Sequence, residues 1–215
     1  MYQKQIPRLT AFYRSYLNHH RTREFVDLTA RYYNEAALLC LTGAENTDTR
    51  RAAALALGLL GTYQANTALG KLLKDSDRSV RLLAEGSIKS VWTREGSEEQ
   101  RQGLYSILRQ IGELQYGEAL RTANNLLDTH PFLIETRNQR AIALFALKDF
   151  ENSIADSEIV LDLNPYHFGA AVGMGHAYLQ LNNKEQAVAC FQRALDINPN
   201  LETIRRRLGM LTVNL

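Results

Sequence analysis

Cysteine is nearly absent from the chain. Cys40 and Cys190 are the only two in 215 residues, and each sits inside an apolar helical pattern. A disulfide framework is therefore excluded. Both are expected to be reduced core thiols, which suits a cytoplasmic setting. No apolar run approaches the roughly 20 residues that a membrane helix needs. The segment from Met1 to Pro7 has no apolar stretch of the signal-peptide kind. Neither sign of charge is in surplus: 25 Lys and Arg face 23 Asp and Glu, a net charge of +2. That excludes a uniformly basic nucleic-acid coat but leaves room for a local basic patch. Apolar residues at 45% and charged residues at 22% suffice for a packed core, so composition does not point to disorder.

The marks of catalysis are missing as well. No Gly-x-Ser-x-Gly elbow occurs, and no glycine-rich turn leads into Gly-Lys-Ser/Thr. His19, His20, His130, His167 and His176 have no partners at metal-ligand spacing. Gly169, Gly173 and Gly175 follow no strand, and they are expected to serve close helix packing. The sequence calls for no catalytic residue, no metal and no cofactor, so the chain is expected not to be an enzyme.

Proline is scarce, yet its placement is informative. Three of the four prolines, Pro131, Pro165 and Pro199, stand 34 residues apart. Proline ends helices, so equal spacing predicts equal helical units. The segment Phe168–Asn200 shows the unit best. Gly175 and Tyr178 mark a first helix, Asn182-Asn183 a polar break, and Ala187, Phe191, Ala194 and Leu195 one stripe of a second helix. Small residues at Gly175 and Ala187 allow close approach, and Tyr178 and Phe191 fill the space beside them. Ile134–Asn164 repeats the pattern with Ala141, Leu144, Ser153, Ser157 and Val160. An earlier copy keeps Ala119, Ala123 and Pro131. Its turn, Gly112–Gly117, is expected to be about two residues longer than usual. Leu201, Ile204, Leu208 and Leu211 line one side of a closing helix. These residues resemble the tetratricopeptide repeat.

The first half has another rhythm. Arg50–Gly61 is an Ala/Leu-rich helix ending in Gly, Ala65–Leu73 a second, Asp75-Ser76-Asp77 a break, and Val80-Arg81 opens the next helix. This resembles short HEAT repeats with an Asp-x-Asp-x-x-Val-Arg opening. In the first copy Arg50 stands in the Val place and only Asp48 precedes it. In such families the Asp and Arg cap helices and bridge neighbouring repeats, which is the expectation for Asp75, Asp77 and Arg81. Tyr2–His19 and Phe25–Leu41 are expected as two longer N-terminal capping helices. Ser97 and Gln100 form a capping box at a polar seam.

The expected fold is all-α: a right-handed α-solenoid of helix pairs. Short HEAT-like repeats (1–95) stack on three tetratricopeptide repeats with a C-terminal capping helix (96–215). The resemblance implies a non-enzymatic adaptor or scaffold. Its concave groove would take an extended peptide or a helix of a partner protein. The wall positions implied are Glu135, Asn138, Gln139, Ile142 and Phe145 on the middle repeat. On the last repeat they are Gly169, Val172, Gly173, His176, Leu179 and Gln180. The Lys/Asn/Lys/Arg set with which some relatives grip a chaperone's C-terminal carboxylate is missing apart from Asn138. Apolar anchors, held by amides from Asn138, Gln139 and Gln180, are expected instead. The alternative comes from charge asymmetry. Residues 1–95 carry +5 and residues 96–215 carry −3. Arg14, Arg21 and Arg23, interleaved with Phe12, Tyr13 and Tyr16, could contact nucleic acid or another anionic surface.

Overall fold

The computed structural model describes residues 7–212, and every regular element among them is helical. The chain is an α-solenoid of helix pairs that divides into two compact units, Met1–Arg94 and Glu95–Leu215.

The first unit begins with α1 (Arg8–His19), α2 (Thr22–Tyr32) and α3 (Glu35–Leu41). The expected second helix is thus broken in two. Asn34 stops it by taking an extended backbone and capping α3 through the Ala37 amide, because a short amide side chain competes well for free N–H groups. The segment Tyr2–Ile6 of the first expected helix lies outside the described residues. Next come α4 (Thr47–Leu60), α5 (Asn66–Leu72) and α6 (Arg78–Trp92). Ala52, Ala53, Ala54, Ala56 and Leu57 of α4 are buried, so alanine methyls let α4 and α6 approach closely. Cys40 is exposed, contrary to expectation, whereas Cys190 is buried. In the short α3 only Leu38 reaches the core.

Hydrogen bonds correct the register of the two HEAT-like copies. The Arg50 guanidinium donates to the carbonyls of Ala44 and Glu45, and Arg81 does the same to Asp75 and Ser76. Asn46 caps α4 as Asp77 caps α6. Arg50 therefore matches Arg81, and Thr49, not Arg50, occupies the Val80 place. The expected bridge between repeats is made by Asp75 and Asp77, with Arg50 and Arg51 rather than Arg81 as the arginines. Arg50 grips Asp75 through two bonds of 2.7 and 2.9 Å, and Arg51 grips Asp77 at 3.1 and 2.7 Å. The Arg51 guanidinium, aided by backbone N–H groups, holds the Asp77 carboxyl at about 2.

The second unit holds α7 (Glu98–Gly112), α8 (Tyr116–Thr129), α9 (Ile134–Ala146), α10 (Phe150–Leu163), α11 (Phe168–Gln180), α12 (Lys184–Ile197) and α13 (Glu202–Thr212). Helices α7 to α12 form three pairs, and α13 covers the last with Ile204, Leu208 and Leu211. The Ser97–Gln100 capping box starts α7 as expected. The first turn is not longer than the others. All three pairs are joined by three residues, and the middle ones, Leu114, Lys148 and Asn182, have φ of 60, 68 and 58°. The neighbouring glycines Gly112 and Gly117 drew the expected turn outwards, but Leu114 makes the left-handed step. Such a conformation costs a non-glycine residue roughly 1–2 kcal/mol. Leu114 is 70% exposed, so it loses little packing when replaced. Leu114→Gly is expected to stabilise the chain by about 0.5–1 kcal/mol, read as a raised thermal midpoint.

Candidate functional site

The face shared by the first helices α9 and α11 holds a small pocket of about 100 Å³. Ala141, Ile142 and Phe145 line it from α9, Gly169, Ala170 and Gly173 from α11, and Ser153 and Ser157 from α10. Asn138 and His176 complete it. The serine hydroxyls do not make it polar. Ser153 donates to the Ala141 carbonyl and Ser157 to the Ser153 carbonyl, both at 2.8 Å. The pocket is therefore an apolar recess with one amide and one imidazole in its lining.

Its glycines are not equivalent. A Cβ on Gly175 would lie 2.6 Å from the Phe191 ring, so this glycine serves packing as expected. A Cβ on Gly173 would meet nothing within 4 Å, and one on Gly169 would touch only His167 at ordinary distance. The packing role expected for Gly169 and Gly173 is corrected: they leave space in the pocket rather than fitting against a neighbouring helix.

Six of the eleven sequence-predicted wall residues meet here: Asn138, Ile142, Phe145, Gly169, Gly173 and His176. The other five do not. Glu135 and Gln139 are buried. The Glu135 carboxylate accepts from Asn138 Nδ2 at 3.1 Å, Gln139 Nε2 at 2.6 Å and His167 Nε2 at 3.0 Å. Gln139 thus spends its amide inside the protein instead of offering it to a partner. Val172 and Leu179 pack on the core of Ala187, Phe191, Leu195 and Ile204, because α13 brings Leu208 and Leu211 to that side. Gln180 is exposed at the end of α11, outside the pocket lining. Sequence reasoning missed Ala141, Ser153, Ser157 and Ala170. Their shared signal is small size on facing helices, which leaves a recess between α9 and α11.

The network beneath the pocket fixes its walls. His167 Nδ1 accepts the Ala170 backbone N–H at 3.0 Å, capping α11. Its proton therefore sits on Nε2, which donates to Glu135. At the start of α9, Glu95 supplies the cap that Leu133 lacks, accepting from the Ile134 and Glu135 amides at 2.7 and 3.2 Å. Burial pushes the Glu95 carboxyl up to about 7 against those two bonds, and the nearby Glu135 charge adds to the rise. An acid with a raised folded pKa holds protons that the unfolded chain has released. Its contribution is full below the ordinary value of 4.5 and is lost as pH rises through about 7. Wild type is expected to lose on the order of 1–2 kcal/mol between pH 5 and 8 relative to Glu95→Gln. The glutamine keeps an acceptor for the helix end and does not titrate. Urea denaturation of both proteins across that range checks the difference.

Phe191 stands edge-on to His176, with ring centroids 5.1 Å apart. His176 Nδ1 lies 2.9 Å from an Arg207 Nη, so the ring accepts and is neutral. Burial and then the Arg207 charge hold His176 below the usual imidazole range.

The three N-terminal arginines are exposed, and each has an acid beside it. Arg14 donates to Asp48 at 3.2 and 2.9 Å, Arg21 faces Glu24 at 3.5 Å, and Arg23 faces Asp27 at 4.0 Å. The aromatic rings also have partners: Phe12 packs on Tyr32 and Tyr16 on Phe25, while Tyr13 is buried. The exposed His19 and His20 and the other acids and thiols form no group of three that could hold a metal ion among the described residues. No described helix is long and apolar enough to cross a membrane.

Comparison with known proteins agrees with these repeats. A family model of HEAT repeats matches residues 34–110, and a tetratricopeptide repeat model matches residues 171–201. The chain is thus a repeat protein that carries both HEAT and tetratricopeptide repeats. A TPR repeat-containing protein of Rhizobium etli is 28% identical over 142 residues, which take in 66% of this chain and 69% of that one. Anaphase-promoting complex subunit 3 of Schizosaccharomyces pombe is 27% identical over 97 residues, 45% of this chain but 15% of that protein. Among solved structures, the first TPR of Spaghetti (RPAP3) bound to HSP90 peptide SRMEEVD has a TM-score of 0.52. It is 23% identical, and the match covers 55% of this chain and 94% of that one. This last likeness concerns the fold.

Proposed function

We propose that the chain is a non-enzymatic adaptor whose tetratricopeptide half, residues 96–215, holds an extended segment of a partner protein across α9 and α11. Residues 1–95 would offer a second surface, so that two proteins could be brought together. The observation that carries this reading is the apolar recess between first helices, lined by Ile142, Phe145 and Gly173. Ile142 is 39% exposed at its edge. Apolar surface left open on a repeat face is a mark of docking. The RPAP3 domain, which shares the fold, is described with a bound peptide, and a peptide is the partner class proposed here. A cytoplasmic setting accords with two free thiols. The alternative of nucleic-acid or anionic-surface binding has less support, because Arg14, Arg21 and Arg23 each face an acid.

The test is affinity capture from a lysate of the native host. Wild type runs beside Ile142→Glu, a change at an exposed position, shown to be folded by circular dichroism. A protein kept by wild type and lost by the variant is the expected result. Equal retention by both would sink the groove reading.

A further inference from the structure

The inner face of the second unit has an uneven charge. Helix α11, FGAAVGMGHAYLQ, carries no Asp, Glu, Lys or Arg. None of the pocket-lining residues carries a formal charge while His176 is neutral. The Glu135 carboxylate is buried under three donors. A cation from the capping helix stands next to the recess. Arg207 of α13 is exposed and reaches a pocket-lining residue by a single hydrogen bond to His176. Among the described residues no carboxylate pairs with it. Its neighbour Arg205, by contrast, is spent on Glu202 and on the Pro199 carbonyl.

The recess itself limits what can enter. Its volume of about 100 Å³ and its apolar lining suit one compact apolar side chain. The floor is open because Gly173 has no Cβ and nothing stands where one would be. Asn138 lines the pocket and gives Nδ2 to Glu135, which can only accept, so its Oδ1 is left to accept from elsewhere. That oxygen suits a backbone N–H of an extended segment.

We propose that the groove recognises a linear peptide segment in which a Leu, Ile or Met is followed or preceded closely by Asp or Glu. The aliphatic side chain enters the recess over Gly173 and the carboxylate meets Arg207. This rests on the groove being the docking site, and it adds the chemistry of the partner. A buried anchor supplies most of the affinity in such contacts, and a charged neighbour at the rim selects among partners. The cation here lies on the closing helix α13, not on the first helices of the repeats.

The experiment is a selection of random dodecapeptides displayed on phage against the full chain, followed by titration calorimetry with the strongest peptide. Wild type is compared with Gly173→Leu, whose Cβ has open space and whose side chain would occupy the recess, and with Arg207→Glu on the exposed side of α13. Circular dichroism confirms that both fold. Wild type is expected to enrich peptides with an aliphatic residue beside an acid. Gly173→Leu should weaken the strongest peptide by about ten-fold or more. Arg207→Glu should exchange the acid for Lys or Arg in a new selection. A wild-type selection without the aliphatic–acidic pair overturns the proposal. Unchanged affinity in Gly173→Leu overturns both the proposal and the groove reading. Loss in Gly173→Leu with an unchanged acidic preference in Arg207→Glu removes the carboxylate contact alone and leaves the groove standing.

Discussion

His167→Ala is expected to cost the chain about 3 kcal/mol of folding stability, although histidine is not a customary helix cap. Two losses combine. Helix α11 loses the Nδ1 acceptor that takes the Ala170 amide, and removal of a cap costs about 1 kcal/mol. The Glu135 carboxylate, buried at 6% exposure, loses one of its three donors. Because Nδ1 accepts, the contact is a single N–H bond to a buried carboxylate, the loss of which costs roughly 1.5–3 kcal/mol, and the surviving bonds from Asn138 and Gln139 keep it to about 2 kcal/mol. Urea denaturation of the full chain, followed by circular dichroism, measures it. A double variant with Glu135→Gln tests the cause. If the orphaned carboxylate dominates, the double variant is more stable than His167→Ala alone. His130→Ala, at an exposed repeat end, should shift stability by no more than about 0.5 kcal/mol.

Repeat architecture was legible from punctuation. Pro131, Pro165 and Pro199 follow the ends of α8, α10 and α12 by two residues each, and proline rules out continuation whatever the tertiary context. The Asn182-Asn183 break, the Ser97–Gln100 box and the closing stripe of Leu201 to Leu211 were visible for the same reason: each is a local rule. What failed depended on partners distant in sequence. The HEAT register turned on which arginine grips the loop carbonyls, and Arg50-Arg51 offers two candidates side by side. Glu135 and Gln139 occupy wall-like positions along α9, yet His167, 32 residues on, draws the glutamate inwards. Val172 and Leu179 look like open wall in the sequence because the reach of α13 is not encoded in α11 itself. More than half of the candidate site was therefore visible as a helix face. The recess became visible only once the small residues of α10 were set beneath that face.

Two glycines on one turn of α11 should respond to alanine with opposite sign. At Gly175 the added methyl would stand 2.6 Å from a carbon of the fully buried Phe191 ring. A ring enclosed by Ala187, Leu195 and Ile204 has little freedom to withdraw. Overpacking of this kind costs about 1–3 kcal/mol, which outweighs the better helix propensity of alanine. Gly175→Ala is thus expected to destabilise the chain by roughly 1–2 kcal/mol. At Gly173 nothing lies within 4 Å of the new methyl, so the propensity gain of nearly 1 kcal/mol survives. Gly173→Ala is expected to raise the thermal midpoint while narrowing the recess that the partner's anchor would enter. Were Gly173 kept glycine for packing, both variants would lose stability. A stabilised Gly173→Ala with weakened peptide affinity would show that the helix forgoes stability at this position to keep the pocket open, since open space next to Ile142 and Phe145 adds nothing to the fold.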